Sequence, residues 1–192
     1  MTRTTLRCTL VALCLAFVLA ACSKQPPPFR NTAVDGAKWG NDFELTAHTG
    51  QRLRTVDYRG KVLVLFFGYT HCPDICTPTL AKLAQLSKAL GADSNRVQVL
   101  FISIDPQHDS PVQLKKYLAG FDPTFIGLTG TADELGVVAT EHVAYFKPTK
   151  AGRIDHTGML FVKDSSGRMR LLMRETAPLD DMLHDLRLLL AG

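Results

Sequence analysis

The stretch Lys61-Val62-Leu63-Val64-Leu65-Phe66-Phe67 is apolar without interruption after its lysine, and Gly60 and Gly68 bound it. A short continuous run of this kind, rich in branched and aromatic side chains, fits a strand buried on both faces, as in the middle of an α/β sheet. Directly after it, Gly68-Tyr69-Thr70-His71-Cys72-Pro73-Asp74-Ile75-Cys76-Thr77-Pro78 leads into a helical pattern. Leu80, Leu83, Leu86 and Leu90 recur at helical spacing over Thr79 to Leu90, and Gly91 closes the pattern. Two cysteines therefore stand at a strand-to-helix turn.

The remaining pattern extends this frame. Phe43 to Thr46 and Arg52 to Thr55, around the turn His48-Thr49-Gly50, predict a short hairpin. Val97 to Ile104 predicts a second buried strand, and Ser110-Pro111 opens a helix with proline in its first turn. Phe125 to Leu128 predicts a short strand, Ala132 to Thr140 a helix, and an irregular segment follows to Gly158. Met159 to Lys163 and Met169 to Arg174 predict two late strands, and Leu179 to Leu190 a closing amphipathic helix. Strands alternating with helices and ending in a hairpin and a helix predict an α/β, thioredoxin-like fold, with a central mixed sheet, helices on both faces and an N-terminal hairpin. With no repeat or low-complexity tract from Trp39 onward, residues 39–192 are expected to form one domain.

Ahead of that domain, Arg3 and Arg7 precede an apolar run from Leu10 to Ala21 that is short for a membrane span. Leu19-Ala20-Ala21-Cys22 resembles a bacterial lipobox, which implies a signal peptide over residues 1–21, cleavage before Cys22 and acylation of Cys22. Several acyl chains hold a protein firmly where one binds marginally. Residues 22–38, with Pro26-Pro27-Pro28, are expected to be a semi-extended linker that holds the domain off the bilayer on the periplasmic side of a bacterial envelope. The formal charge of +4 includes Arg3 and Arg7, so the processed chain carries about +2. That charge, without a basic stripe, argues against a nucleic-acid partner.

Of the five cysteines, Cys8 and Cys14 leave with the signal and Cys22 is consumed by lipid, which leaves Cys72 and Cys76 in the folded part. Amides at a helix start point outward and favour a thiolate. Residues four apart share a helical face, so the pair suits either a disulfide or a two-thiolate clamp. Thiol–disulfide exchangers usually have two intervening residues, and here there are three. Two soft thiolates suit Cu(I), and one added imidazole makes a site that copper accepts in either oxidation state, whereas zinc usually asks for a fourth ligand. Three other readings stay open on the residues alone. One is a stabilising disulfide, another an oxidoreductase with Cys72 as nucleophile and Cys76 as resolving thiol, and the last a thiol peroxidase.

Among the six histidines, His48, His108, His142 and His184 fit structural or solvated positions, and the side chain of His71 should diverge from that of its neighbour Cys72. His156 differs, because Asp155-His156-Thr157-Gly158 precedes the strand Met159 to Lys163. In a thioredoxin-like layout that loop packs beside the start of the cysteine helix, which makes His156 the candidate third ligand. Asp74 and Asp155 are candidates to orient the ligands from outside.

These residues resemble the Sco/SenC family of copper proteins. The resemblance rests on Gly68 to Cys76, on Ser103-Ile104-Asp105-Pro106 with Asp109-Ser110-Pro111, on Gly127-Leu128-Thr129-Gly130 and on Asp155-His156. It implies copper, Cu(I) or Cu(II), on Cys72, Cys76 and His156. It also implies a membrane-anchored protein that delivers copper to, or reduces the cysteines of, the copper-site subunit of cytochrome c oxidase. The chain departs from the family pattern where Thr77 stands between Cys76 and Pro78, and where Gly158-Met159 follow the His-Thr pair.

Overall fold

A computed structural model of the chain describes residues 29–149 and 152–192. The expected signal peptide, Cys22 and the linker through Pro28 lie outside the described residues.

The strands are β1 (Thr32–Ala33), β2 (Glu44–Ala47), β3 (Arg52–Arg54), β4 (Val62–Gly68), β5 (Val97–Ser103), β6 (Ile126–Thr129), β7 (Phe146–Pro148), β8 (Ile154–His156), β9 (Met159–Lys163) and β10 (Met169–Arg174). The helices are α1 (Cys76–Leu90), α2 (Pro111–Leu118), α3 (Ala132–Glu141) and α4 (Leu179–Ala191). Eight strands form one sheet in the order β1-β10-β9-β4-β5-β6-β2-β3, and β7 and β8 make a separate antiparallel ribbon. Strands β4, β5 and β6 run parallel, while β9, β10, β2 and β3 add antiparallel neighbours. The result is the mixed sheet of a thioredoxin-like fold.

Every residue of β4 is buried, as its unbroken apolar run requires. Successive side chains of a strand point to opposite faces. Phe66 meets Phe101, which in turn meets Tyr117 of α2, while Phe67 on the other face packs against His142 at the end of α3. Helices therefore cover both faces, and full burial of each such side chain contributes about 1.5–3 kcal/mol.

Three boundaries differ from those the sequence predicts. Ordered structure begins ahead of Trp39, because the amides of Arg30 and Asn31 donate to the Asp185 carboxylate at 2.9 and 2.8 Å and β1 pairs with β10. Helix α1 starts at Cys76 and not at Thr79, since Pro78 in its first turn supplies a fixed helical φ and lacks an amide that would have no partner there anyway. The segment expected to be irregular contains the β7–β8 ribbon, whose three-residue strands are too short to show a period.

Candidate metal centre

Strand β4 ends at Gly68, and a β-carbon there would stand 2.6 Å from the Cys76 sulfur and 2.8 Å from the Phe101 ring. Only glycine lets the strand end approach the first residue of α1 so closely. The turn between them is braced from beneath by Asp109, which is fully buried. Its carboxylate accepts from the Thr70 amide at 3.1 Å, the Thr70 hydroxyl at 2.6 Å and the Ser103 hydroxyl at 2.7 Å. That brace joins the loop after β4 to the end of β5, so the cysteine turn is positioned by the sheet.

His156 arrives from the ribbon. The Ile154 amide donates to the Tyr69 hydroxyl at 3.2 Å, and the Tyr69 ring meets the His156 ring edge-on with centroids 5.6 Å apart. Tyr69 is itself buried, so the ribbon is tied to a fixed point. The His156 Nδ1 lies 3.0 Å from the Ile154 carbonyl oxygen. A carbonyl only accepts, so Nδ1 carries the proton, and Nε2 of the neutral ring offers its lone pair. That Nε2 stands 3.5 Å from the Cys76 sulfur. One donor atom each from Cys72, Cys76 and His156 lies within 4.8 Å of the others, and both cysteines are free thiols.

The two thiols are electrostatically unequal. A hydrogen bond from Cys76, together with the amides of Asp74, Cys76 and Ile75, brings the Cys72 thiol down to about 5 against the opposing effect of burial. The same hydrogen bond and burial push the Cys76 thiol up. Cys72 is thus the thiolate of the pair, and Cys76 holds the shared proton until an electrophile or a metal displaces it.

Cys72, Cys76 and His156 are brought together, as expected, and other candidates fall elsewhere. His71 turns away from the sulfurs to Asp105. His48 accepts from the Gly127 amide, and His142 is buried with Nδ1 on the Val138 carbonyl, so both are structural. Neither Asp74 nor Asp155 orients the imidazole: Asp74 pairs with Arg153 at 3.5 Å, and the Ile154 carbonyl takes the position expected of a carboxylate. A main-chain acceptor two residues back in the same strand fixes the ring without burying another charge. Tyr69 and Asp109 support the site, and no local pattern distinguishes them. The Thr77 hydroxyl, where the chain departs from the family pattern, lies 3.3 Å from that of Tyr117 and links α1 to α2. A β-carbon on Gly158, the other departure, would come within 2.6 Å of the Glu175 carboxylate.

Comparisons with known proteins agree with this geometry. The chain is 37% identical over 145 residues to the mitochondrial protein SCO2 of Saccharomyces cerevisiae, covering 72% of this chain and 48% of that one. It thus spans about half the length of that relative. Its fold is similar to that of Bradyrhizobium japonicum ScoI, solved with copper bound, at 36% identity and a TM-score of 0.71 over 78% of this chain and 98% of that one. It is also similar to apo Sco1 of Thermus thermophilus, at 32% identity and a TM-score of 0.75 over 83% and 96% of the two chains. A family model described as SCO1/SenC matches residues 31–191, a span that holds the cysteine turn, the Asp109 brace and the histidine ribbon together, and the chain belongs to that family.

Proposed function

We propose that this protein takes up copper on the sulfurs of Cys72 and Cys76 and Nε2 of His156, and passes it to the copper site of cytochrome c oxidase or of a related target. The carrying observation is the fixed imidazole: with Nδ1 committed to Ile154, the free lone pair at Nε2 lies 3.5 Å from a cysteine sulfur. Two thiolates and one imidazole are a donor set that copper accepts in both oxidation states. The related ScoI of Bradyrhizobium japonicum, solved with copper bound, supports this reading.

Copper is the cargo, and the chain's own groups capture and release it. Cys72 supplies a preformed thiolate, Cys76 yields its proton as the ion enters, and His156 closes the third position. Release proceeds by ligand exchange with thiolates of the receiving protein. Oxidation of the pair to a disulfide, with loss of two electrons and of the one proton that Cys76 holds, removes both sulfur ligands, so loading follows the redox poise of the compartment. Acylated Cys22 would anchor the chain to a bacterial membrane with the domain in the periplasm, as Leu19-Ala20-Ala21-Cys22 indicates.

The unequal thiols favour a second reading, a thiol–disulfide oxidoreductase in which Cys72 attacks and Cys76 resolves. Anaerobic copper titration of the reduced full chain separates the two. One tightly held copper, lost in Cys72→Ser/Cys76→Ser and weakened in His156→Ala, is expected. No copper on the reduced protein, with brisk disulfide exchange unaffected by His156→Ala, would establish the oxidoreductase instead.

A further inference from the structure

A second group of ligating side chains lies outside the thiol site. His71 comes from the turn after β4, and Asp105 and His108 come from the loop after β5. Nε2 of His71 stands 3.2 Å from Oδ2 of Asp105, and Nδ1 of His108 stands 2.9 Å from the same oxygen and 3.0 Å from Oδ1. One donor atom from each of the three lies within 4.8 Å of the other two. The two imidazole rings meet edge-on with centroids 5.1 Å apart.

The placement of charge is unusual for a structural cluster. The Asp105 side chain is only 10% exposed, yet among the described residues no lysine or arginine bridges to it. The partners of this carboxylate are two imidazoles that are 45% and 66% exposed, and so open to an incoming ion. The backbone beneath is held in place. The Asp105 carbonyl accepts from the amides of His108 and Asp109, and the Asp105 amide donates to the Ser103 hydroxyl. On the other side the Tyr69 ring meets the His71 ring with centroids 4.8 Å apart.

Neighbouring donors around an ion bound at roughly 2.0–2.2 Å stand roughly 2.9–3.5 Å from each other. The two carboxylate-to-imidazole distances already fall in that range, so an ion replaces the bridging protons with little movement. We propose that His71, Asp105 and His108 form a second metal site, for a borderline divalent cation and best for Cu(II). Two imidazoles and a carboxylate favour such ions, and Cu(II) heads their affinity order. This donor set contains no sulfur, so the site keeps its ligands when Cys72 and Cys76 are joined as a disulfide. The Tyr69 ring, in contact with both His71 and His156, stands between the two sites.

The test uses the full, tag-free chain with all five cysteines replaced by serine, titrated with Cu(II) and followed by electron paramagnetic resonance. One equivalent with nitrogen couplings and no thiolate charge-transfer band is expected. Loss of an outer partner of a ligand weakens metal binding roughly 10–100-fold, and loss of a ligand costs more. His71→Ala and His108→Ala, both at exposed positions, should each therefore lower affinity by more than about tenfold, while His184→Ala leaves it unchanged. No stoichiometric Cu(II), or binding indifferent to His71→Ala and His108→Ala, overturns the proposal. Wild-type chain oxidised to the Cys72–Cys76 disulfide provides the same readout if the serine variant fails to fold. Failure of the reduced wild type to hold copper on its thiolates would sink the proposed function and leave this result standing.

Discussion

Cys76 and His156 are 80 positions apart in the chain, and the sulfur of one lies 3.5 Å from Nε2 of the other. The contact depends on two separate supports: Gly68 admits the sulfur at the end of β4, and Tyr69 holds the ribbon that carries the imidazole. Each support can be removed without deleting a ligand.

Tyr69→Phe removes the acceptor for the Ile154 amide and keeps the ring. Copper affinity should fall roughly tenfold, as for other residues that orient a ligand, with the thermal midpoint little changed. Competition against a chromophoric chelator measures the first and a melting curve the second. Equal affinity in the two proteins would mean that the ring alone positions His156.

Gly68→Ala places a β-carbon 2.6 Å from the Cys76 sulfur, inside the closed end of the sheet. Such overpacking should cost about 1–3 kcal/mol and move the sulfur, so urea midpoint and copper affinity should fall together. A variant as stable as wild type would show that α1 shifts freely.

Asp109→Ala leaves two hydroxyls and the Thr70 amide without their buried acceptor. Hydrogen bonds to a charged group are worth about 1.5–3 kcal/mol each net, and their loss here should lower stability by at least about 2 kcal/mol. Denaturant unfolding checks it, and amide exchange at Thr70 should quicken more than exchange in β10.

His142 predicts an acid limb in stability. Burial, with Lys163 nearby, lowers its imidazole from 6.5 to about 4, against the opposing effects of the Val138 carbonyl, Glu141 and Asp42. The unfolded chain therefore takes up a proton that the folded chain refuses, and stability falls as pH drops from 6.5 toward 4. The loss amounts to about 3 kcal/mol over the window, and His48, lowered mainly by its own burial, adds in the same direction. Urea midpoints between pH 7 and pH 4 should show this slope in wild type and a flatter one in His142→Phe. An unchanged slope would place the titrating group elsewhere.

What the sequence reveals about this molecule follows the range over which each interaction acts. The apolar run at Val62 to Phe67, the leucines of α1 and the two cysteines are local patterns, and the sheet centre and the cysteine pair at its end were legible from them. His156 needed more, namely the expectation that its loop packs beside the cysteine helix. Strands β1, β7 and β8 hold two or three residues each, too few for alternation to show. The carboxylate of Asp109 and the hydroxyl of Tyr69 act on partners 39 and 85 positions away, a choice made by the fold and not by neighbours in sequence. His108 looked solvated for the same reason, since only the folded chain brings His71 to the same carboxylate.

The ribbon of β7 and β8 shares no strand with the main sheet. Sulfur and nitrogen donors accordingly belong to different architectural pieces, one framed by the core and one appended to it. Substitution within the strands of the ribbon can move the imidazole while the thiols stay framed as they are. A lineage can in this way retune the nitrogen donor and leave the sulfur pair untouched.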